Sequence, residues 1–228
     1  MTESRRRTLY GRRRGKKLRG GQQSLLDSLL PRLAISVPET GTIDLGGKEH
    51  WLEVGFGSGE HLVWQAEQNP AVGLIGCEPY INGVAKCLAQ IERAGVANIR
   101  LFTDDARLLI AALPDRSLGR VFVLFPDPWP KTRHHKRRFV QTETLDQLAR
   151  VMKAGAELRL ATDDPSYLPW MVEHAGRHPA FEWLAERPED WRKRPADWPQ
   201  TSYEQKNVGR PPARLFALPA PLTGRKCL

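Results

Sequence analysis

The strongest constraint on this chain is an alternation of short apolar runs with helix-spaced segments. "HWLEV" reads as a buried strand that ends in the glycine-rich turn "GFGSG", with a helix from about Glu60. "VGLIGCE" is a second strand. It precedes a helix over Ile81 to Ala94, in which Val84, Cys87, Leu88 and Ile91 fall at i, i+3, i+4 and i+7. "NIRLF" and "GRVFVLF" supply strands three and four, the latter apolar enough for burial on both faces. Leu145, Leu148, Ala149 and Met152 repeat the helical spacing before a fifth strand, "AELRLAT"; a further helix runs to about Gly176, and "FEWLA" and "ARLFAL" are candidates for two more strands. This order predicts an α/β fold with a mostly parallel seven-stranded sheet and helices on both faces. Upstream, "QQSLLDSLLPRL" reads as a short helix ended by Pro31. The segment from Pro188 to Pro212 reads as a long surface loop, packed by Trp191 and Trp198.

Charge is unevenly placed along the 228 residues. Nine Arg or Lys against the single acid Glu3 in the first twenty residues account for +8 of the net +9, so the body is nearly neutral. Residues 1–21 are therefore set apart as a flexible basic arm and 22–228 as one domain. The arm has no apolar core like that of a secretory signal, and no run reaches the ~18 apolar residues of a membrane span. Cys77, Cys87 and Cys227 lack CxxC spacing, and the six histidines do not cluster with them or with acids at ligand spacing. These features predict a cytoplasmic protein without a metal site.

Three acids fall at successive strand ends. Gly55, Gly57 and Gly59 form a GxGxG turn that lets backbone approach a ligand, although a tight turn alone uses the same glycines. Glu78 ends strand two, where a carboxylate can accept both hydroxyls of a ribose, and Asp105 follows strand three within reach of an adenine amino group. Strand four runs into "FPDPWPKTRHHKRR". There Pro126 and Pro128 restrain the backbone around Asp127, placing it where a second substrate meets the cofactor, and Trp129 offers a face for a stacked base. The cluster Arg133 to Arg138 and the arm suit a nucleic-acid phosphate backbone. His134 and His135 are read as RNA contacts or surface residues.

In order, "LEVGFGSGEHL", "GCEPYINGV", "FPDPWPKTRHHKRR", "LATDD" and "TSYEQK" resemble the bacterial tRNA (guanine-N7)-methyltransferase family over about residues 25–218. The resemblance implies a Rossmann-like class I methyltransferase fold, S-adenosyl-L-methionine as methyl donor, and guanosine 46 of the tRNA variable loop as acceptor. It implies Glu53, Gly55, Gly57, Glu78, Asp105 and Asp127 as cofactor residues, with Asp127 also the catalytic residue between cofactor and guanine. Lys131, Arg133, His134, His135, Lys136, Arg137 and Arg138 would meet the substrate. Asp163, Thr201, Ser202, Tyr203 and Glu204 would close over the site. The stretch between "TSYEQK" and "RPPARLF" is short for the family.

Three other readings use parts of the same sequence. A nicotinamide-dependent oxidoreductase would share the glycines and Glu78 but would favour GxGxxG. An exocyclic-amine methyltransferase would carry Pro where Trp129 stands. A non-catalytic RNA-binding module would explain the charge but not the strand-end acids. Monomer and homodimer remain equally open.

Overall fold

The structure is a computed structural model and describes residues 10–184, 186–206 and 213–219. Residues 1–9 of the arm, 207–212 of the expected loop and Cys227 lie outside the described residues. After the arm come α1 (Gly20–Ser28) and α2 (Leu30–Leu33). The alternating series is β1 (His50–Val54), α3 (Glu60–Gln68), β2 (Gly73–Cys77), α4 (Ile81–Ala94), β3 (Ile99–Phe102), α5 (Ala106–Ala112) and β4 (Leu118–Leu124). A 3-10 turn (Thr132–Arg137), α6 (Thr142–Val151), β5 (Met152–Thr162), α7 (Tyr167–Arg177) and β6 (Phe181–Trp183) follow. The series closes with α8 (Pro188–Arg192), α9 (Ser202–Lys206) and β7 (Ala213–Pro219).

The strands form one sheet in the order β3-β2-β1-β4-β5-β7-β6. The five strands β1 to β5 are parallel, and β7 joins β5 and β6 antiparallel. Strand order reverses beside β1: the chain moves outward to β2 and β3, then returns to place β4 on the other side. The two crossovers leave in opposite directions, which opens a crevice at the carboxyl ends of β1 and β4.

Period-two side-chain alternation sends each strand's residues to two cores. Leu52, Ile75, Val121, Val123, Leu158 and Leu160 pack with α5, α6 and α7 on one face. Leu74 and Leu101 pack with Leu62 of α3 and Val84, Cys87, Leu88 and Ile91 of α4 on the other, so the helical stripe read from the sequence is the buried face of α4. A third cluster, Phe122, Leu124 and Ala161, is covered by Trp198.

Two local expectations change. Pro31 does not end a helix; it sits in the first turn of α2, where its missing N–H costs nothing. The expected loop from Pro188 contains α8 and α9. Pro188 opens α8, and Glu204 caps α9 by accepting the Thr201 amide at 3.2 Å.

Candidate active site

The crevice holds a cavity of about 440 Å³ lined by residues from β1, the glycine turn, the ends of β2 and β4, Tyr10 ahead of α1 and Tyr203 of α9. Gly55 and Gly57 have φ of +75° and +56°, values that a side chain would strain. A Cβ on either would enter open space, so the turn is shaped to leave room for an occupant. Glu78 is 8% exposed, and its two carboxylate oxygens accept the Gly57 amide at 2.8 Å and the Tyr80 amide at 2.9 Å. Burial raises its carboxyl above the ordinary range, the two amides pull it back, and the charges of Asp127 and Glu53 add to the rise. Each oxygen retains a lone pair for a ligand hydroxyl.

Asp105 also lines the cavity, but its carboxylate is already engaged. It caps α5 by accepting the Arg107 amide at 3.0 Å and holds the Arg107 side chain at 2.9 Å and 2.5 Å. Any further partner shares this carboxylate with Arg107. Glu53 is 3% exposed on the cavity floor, with Oε2 lying 2.7 Å from Nδ1 of His61.

The loop after β4 is bent at both ends. Phe125 and Trp129, on either side of Pro126-Asp127-Pro128, have φ of +52° and +45°. Such backbone costs about 1–3 kcal/mol per residue and persists only where surroundings enforce it. Here the Phe125 amide donates to the Ala161 carbonyl at 2.8 Å, and its ring meets Tyr203 at 5.0 Å. Trp129 lies edge-on to Tyr10 at 6.3 Å, and the Arg137 guanidinium sits 4.0 Å above Tyr10 and 5.1 Å from Trp129. Asp127 projects at the rim. Its surface is still exposed, yet crowding by the protein raises its carboxyl above the usual range.

The basic run divides into two groups. Lys131, Arg133 and Lys136 are exposed, while His134 and His135 are half-buried against Trp129 and Trp170. Arg137 belongs to the cavity wall. Arg138, expected among the RNA contacts, is corrected: it is 1% exposed and donates to the Pro128 carbonyl at 2.8 Å and to Ser166 Oγ at 2.9 Å. Its guanidinium stacks near Tyr167 and Trp170, so no phosphate can reach it.

Of the remaining expected residues, Thr201 and Tyr203 line the cavity, whereas Ser202 and Glu204 do not. Asp163 accepts from the Tyr203 hydroxyl at 3.2 Å and so touches the site through it. Among the described residues no group of His, Cys, Asp and Glu could hold a metal ion, and no helix is long and apolar enough to cross a membrane.

A family described as "Putative methyltransferase" matches residues 48–211. A tRNA (guanine-N(7)-)-methyltransferase from Rhodospirillum rubrum is 51% identical, over 91% of this chain and 86% of that relative. One of the same name from Ruegeria pomeroyi is 52% identical, over 92% and 93%. The chain belongs to the tRNA (guanine-N(7)-)-methyltransferase family. A solved rRNA methylase from Streptococcus thermophilus, 12% identical, shares the fold with a TM-score of 0.51 over 76% of this chain and 87% of that one.

Within this family member, the structure adds residues that sequence reading passed over. Tyr10 is the sole aromatic in the first twenty residues, a signal that was available in the arm. Glu60 and His61 follow the glycine turn at once and line the cavity; two polar residues at the start of a buried helix were the clue. Arg107 gave no sequence signal, because its role depends on a carboxylate two residues away.

Proposed function

We propose that this protein transfers the methyl group of S-adenosylmethionine to N7 of guanosine 46 in the variable loop of tRNA, in the cytoplasm. The observation that carries the reading is the convergence of Glu53, Glu78, Asp105 and Asp127 on one cavity beside the glycine turn, in a chain about half identical to enzymes of that name. The cavity fits the methyl donor, because Gly55 and Gly57 leave open space and Glu78 is preset to receive a ribose diol. When bound, S-adenosylmethionine supplies an electrophilic sulfonium methyl group.

The chain's own residues then have a limited task. Guanine N7 carries a free lone pair at neutral pH, so no strong base is required and the absence of a catalytic Ser-His or Cys-His pair is expected. Positioning matters most: the base must present N7 in line with the methyl–sulfur bond. Trp129 and Tyr10 offer ring surfaces at the mouth, and Lys131, Arg133 and Lys136 offer exposed cations to phosphates. Transfer of the methyl group from sulfur to N7 would leave the positive charge on the purine. The Asp127 carboxylate at the rim stabilises that charge as it develops.

The test is incubation with labelled S-adenosylmethionine and bulk tRNA, followed by digestion and identification of the labelled nucleoside. N7-methylguanosine from the variable loop is the expected product. Label on an exocyclic amine, or none in tRNA, overturns the reading.

A further inference from the structure

The first two residues of α3, Glu60 and His61, both reach toward the segment that brings Thr201 and Tyr203 to the cavity. Glu60 does so directly, through the Ser202 amide. His61 does so through a buried relay whose proton positions can be deduced. Gln65 Nε2 lies 2.9 Å from the backbone carbonyl of Asp197, which can only accept, so this atom is the amide nitrogen. The same nitrogen lies 3.2 Å from His61 Nε2, which must therefore accept. The His61 proton is then on Nδ1, which donates to Glu53 Oε2 at 2.7 Å. His61 is 3% and Gln65 1% exposed, and the imidazole is wedged between Phe122 at 4.7 Å and Trp198 at 5.5 Å. At the far end the Asp197 carboxylate is gripped by Arg159 at 2.9 Å and 2.7 Å and by Arg120 at 3.3 Å.

We infer that His61 and Gln65 are positioning residues that couple occupation of the cofactor cavity at Glu53 to the seating of residues 193–206 over the substrate mouth. The inference rests on the methyl-donor reading of that cavity. Glu53 has one oxygen on His61, and the residue lines the cavity, where its carboxylate would match a cationic group of the donor. A ligand that fixes Glu53 fixes the imidazole, which fixes the Gln65 amide, which holds the Asp197 carbonyl. In a buried chain of this kind each bond left unmade exposes the next group's desolvation cost, so its members order together.

The experiment uses the full chain and S-adenosylhomocysteine, with calorimetry for affinity and hydrogen–deuterium exchange for residues 193–206. In the parent, ligand should slow exchange in that segment. His61→Asn keeps a donor near the Nδ1 position and loses the Nε2 acceptor; Gln65→Met keeps the shape and loses the bonds to His61 and Asp197, along with a weaker one from Asn69. Both variants should retain affinity within roughly fivefold but lose most of the ligand-dependent protection. His61→Gln does the reverse, keeping the acceptor and losing the donor to Glu53, and should weaken affinity by roughly tenfold, the scale of one hydrogen bond to a charged group. A parent that binds ligand without protecting 193–206, or variants that protect it fully, overturns the coupling. A parent that binds no S-adenosylhomocysteine overturns the cofactor reading instead.

Discussion

Arg138 donates from Nε to the carbonyl oxygen of Pro128 at 2.8 Å, so the last residue of the basic run braces the loop that carries Asp127. Removing it takes the donor from the half-buried Pro128 carbonyl and releases the tie to Ser166. Arg138→Ala should cost about 1–3 kcal/mol, which lowers the melting temperature by roughly 2–4 °C per kcal/mol at this chain length. Calorimetric melting checks this; a melting point equal to the parent's makes the brace dispensable.

Lys131, Arg133 and Lys136 should behave differently from Arg138, because they are exposed. Each Ala substitution should leave the melting temperature alone and reduce the salt slope of tRNA binding by about one unit or slightly less. Binding isotherms at several salt concentrations measure the slope. A triple variant with the parent's slope would mean that RNA passes elsewhere.

Glu78→Ala should weaken S-adenosylhomocysteine binding by about 1–3 kcal/mol, since it deletes the acceptor that Gly57 and Tyr80 hold in place. Nicotinamide dinucleotides should not bind parent or variant. Titration calorimetry with both ligand types decides, and equal cofactor affinity in the two proteins removes Glu78 from the site.

Glu78 also predicts how affinity and stability respond to pH. Its raised carboxyl means that the folded chain holds this proton more tightly than the unfolded chain does. Glu78 therefore favours the fold as pH falls through the raised pKa and opposes it above that pH. Ribose binding needs the ionised form, so cofactor affinity moves the opposite way and declines as pH falls, with a limb above the ordinary Glu value of about 4.3. Asp127→Asn removes a neighbouring negative charge and should shift that limb to lower pH. Calorimetry over a pH series tests this, and a limb unmoved by the substitution breaks the link between the two carboxylates.

Asp127→Asn should also reduce single-turnover methylation by roughly 10²–10³, if charge stabilisation at the rim matters as oxyanion-hole donors do. Cofactor affinity at neutral pH should change only a few-fold, because Glu78 remains. Parent-like turnover, or a matching loss of cofactor binding, sinks the electrostatic account.

The strands and α4 were legible because their signal is periodic and local: Val84, Cys87, Leu88 and Ile91 face the core as their spacing requires. The strand-end acids were legible because topology sends all strand ends to one edge. Arg138 was misread because a run of like charges does not reveal which member turns inward; that depends on Pro128 and Ser166, ten and twenty-eight residues away. Asp105 was read as a partner for adenine, and its hold on the Arg107 side chain was not anticipated. Gln65 was passed over because its partner is Asp197, more than a hundred residues later.

β7 lies between β5 and β6 although it follows both in the chain. Synthesis therefore delivers an unfinished sheet. Until residues 213–219 emerge from the ribosome, the outer edge of β5 presents unpaired N–H and C=O groups, and β6 has no strand to join. Such an edge is a template for any neighbouring polypeptide. A nascent or C-terminally clipped chain is thus adhesive in a way the finished one is not, and insertion of the last described strand is the event that makes the protein safe in a crowded cell.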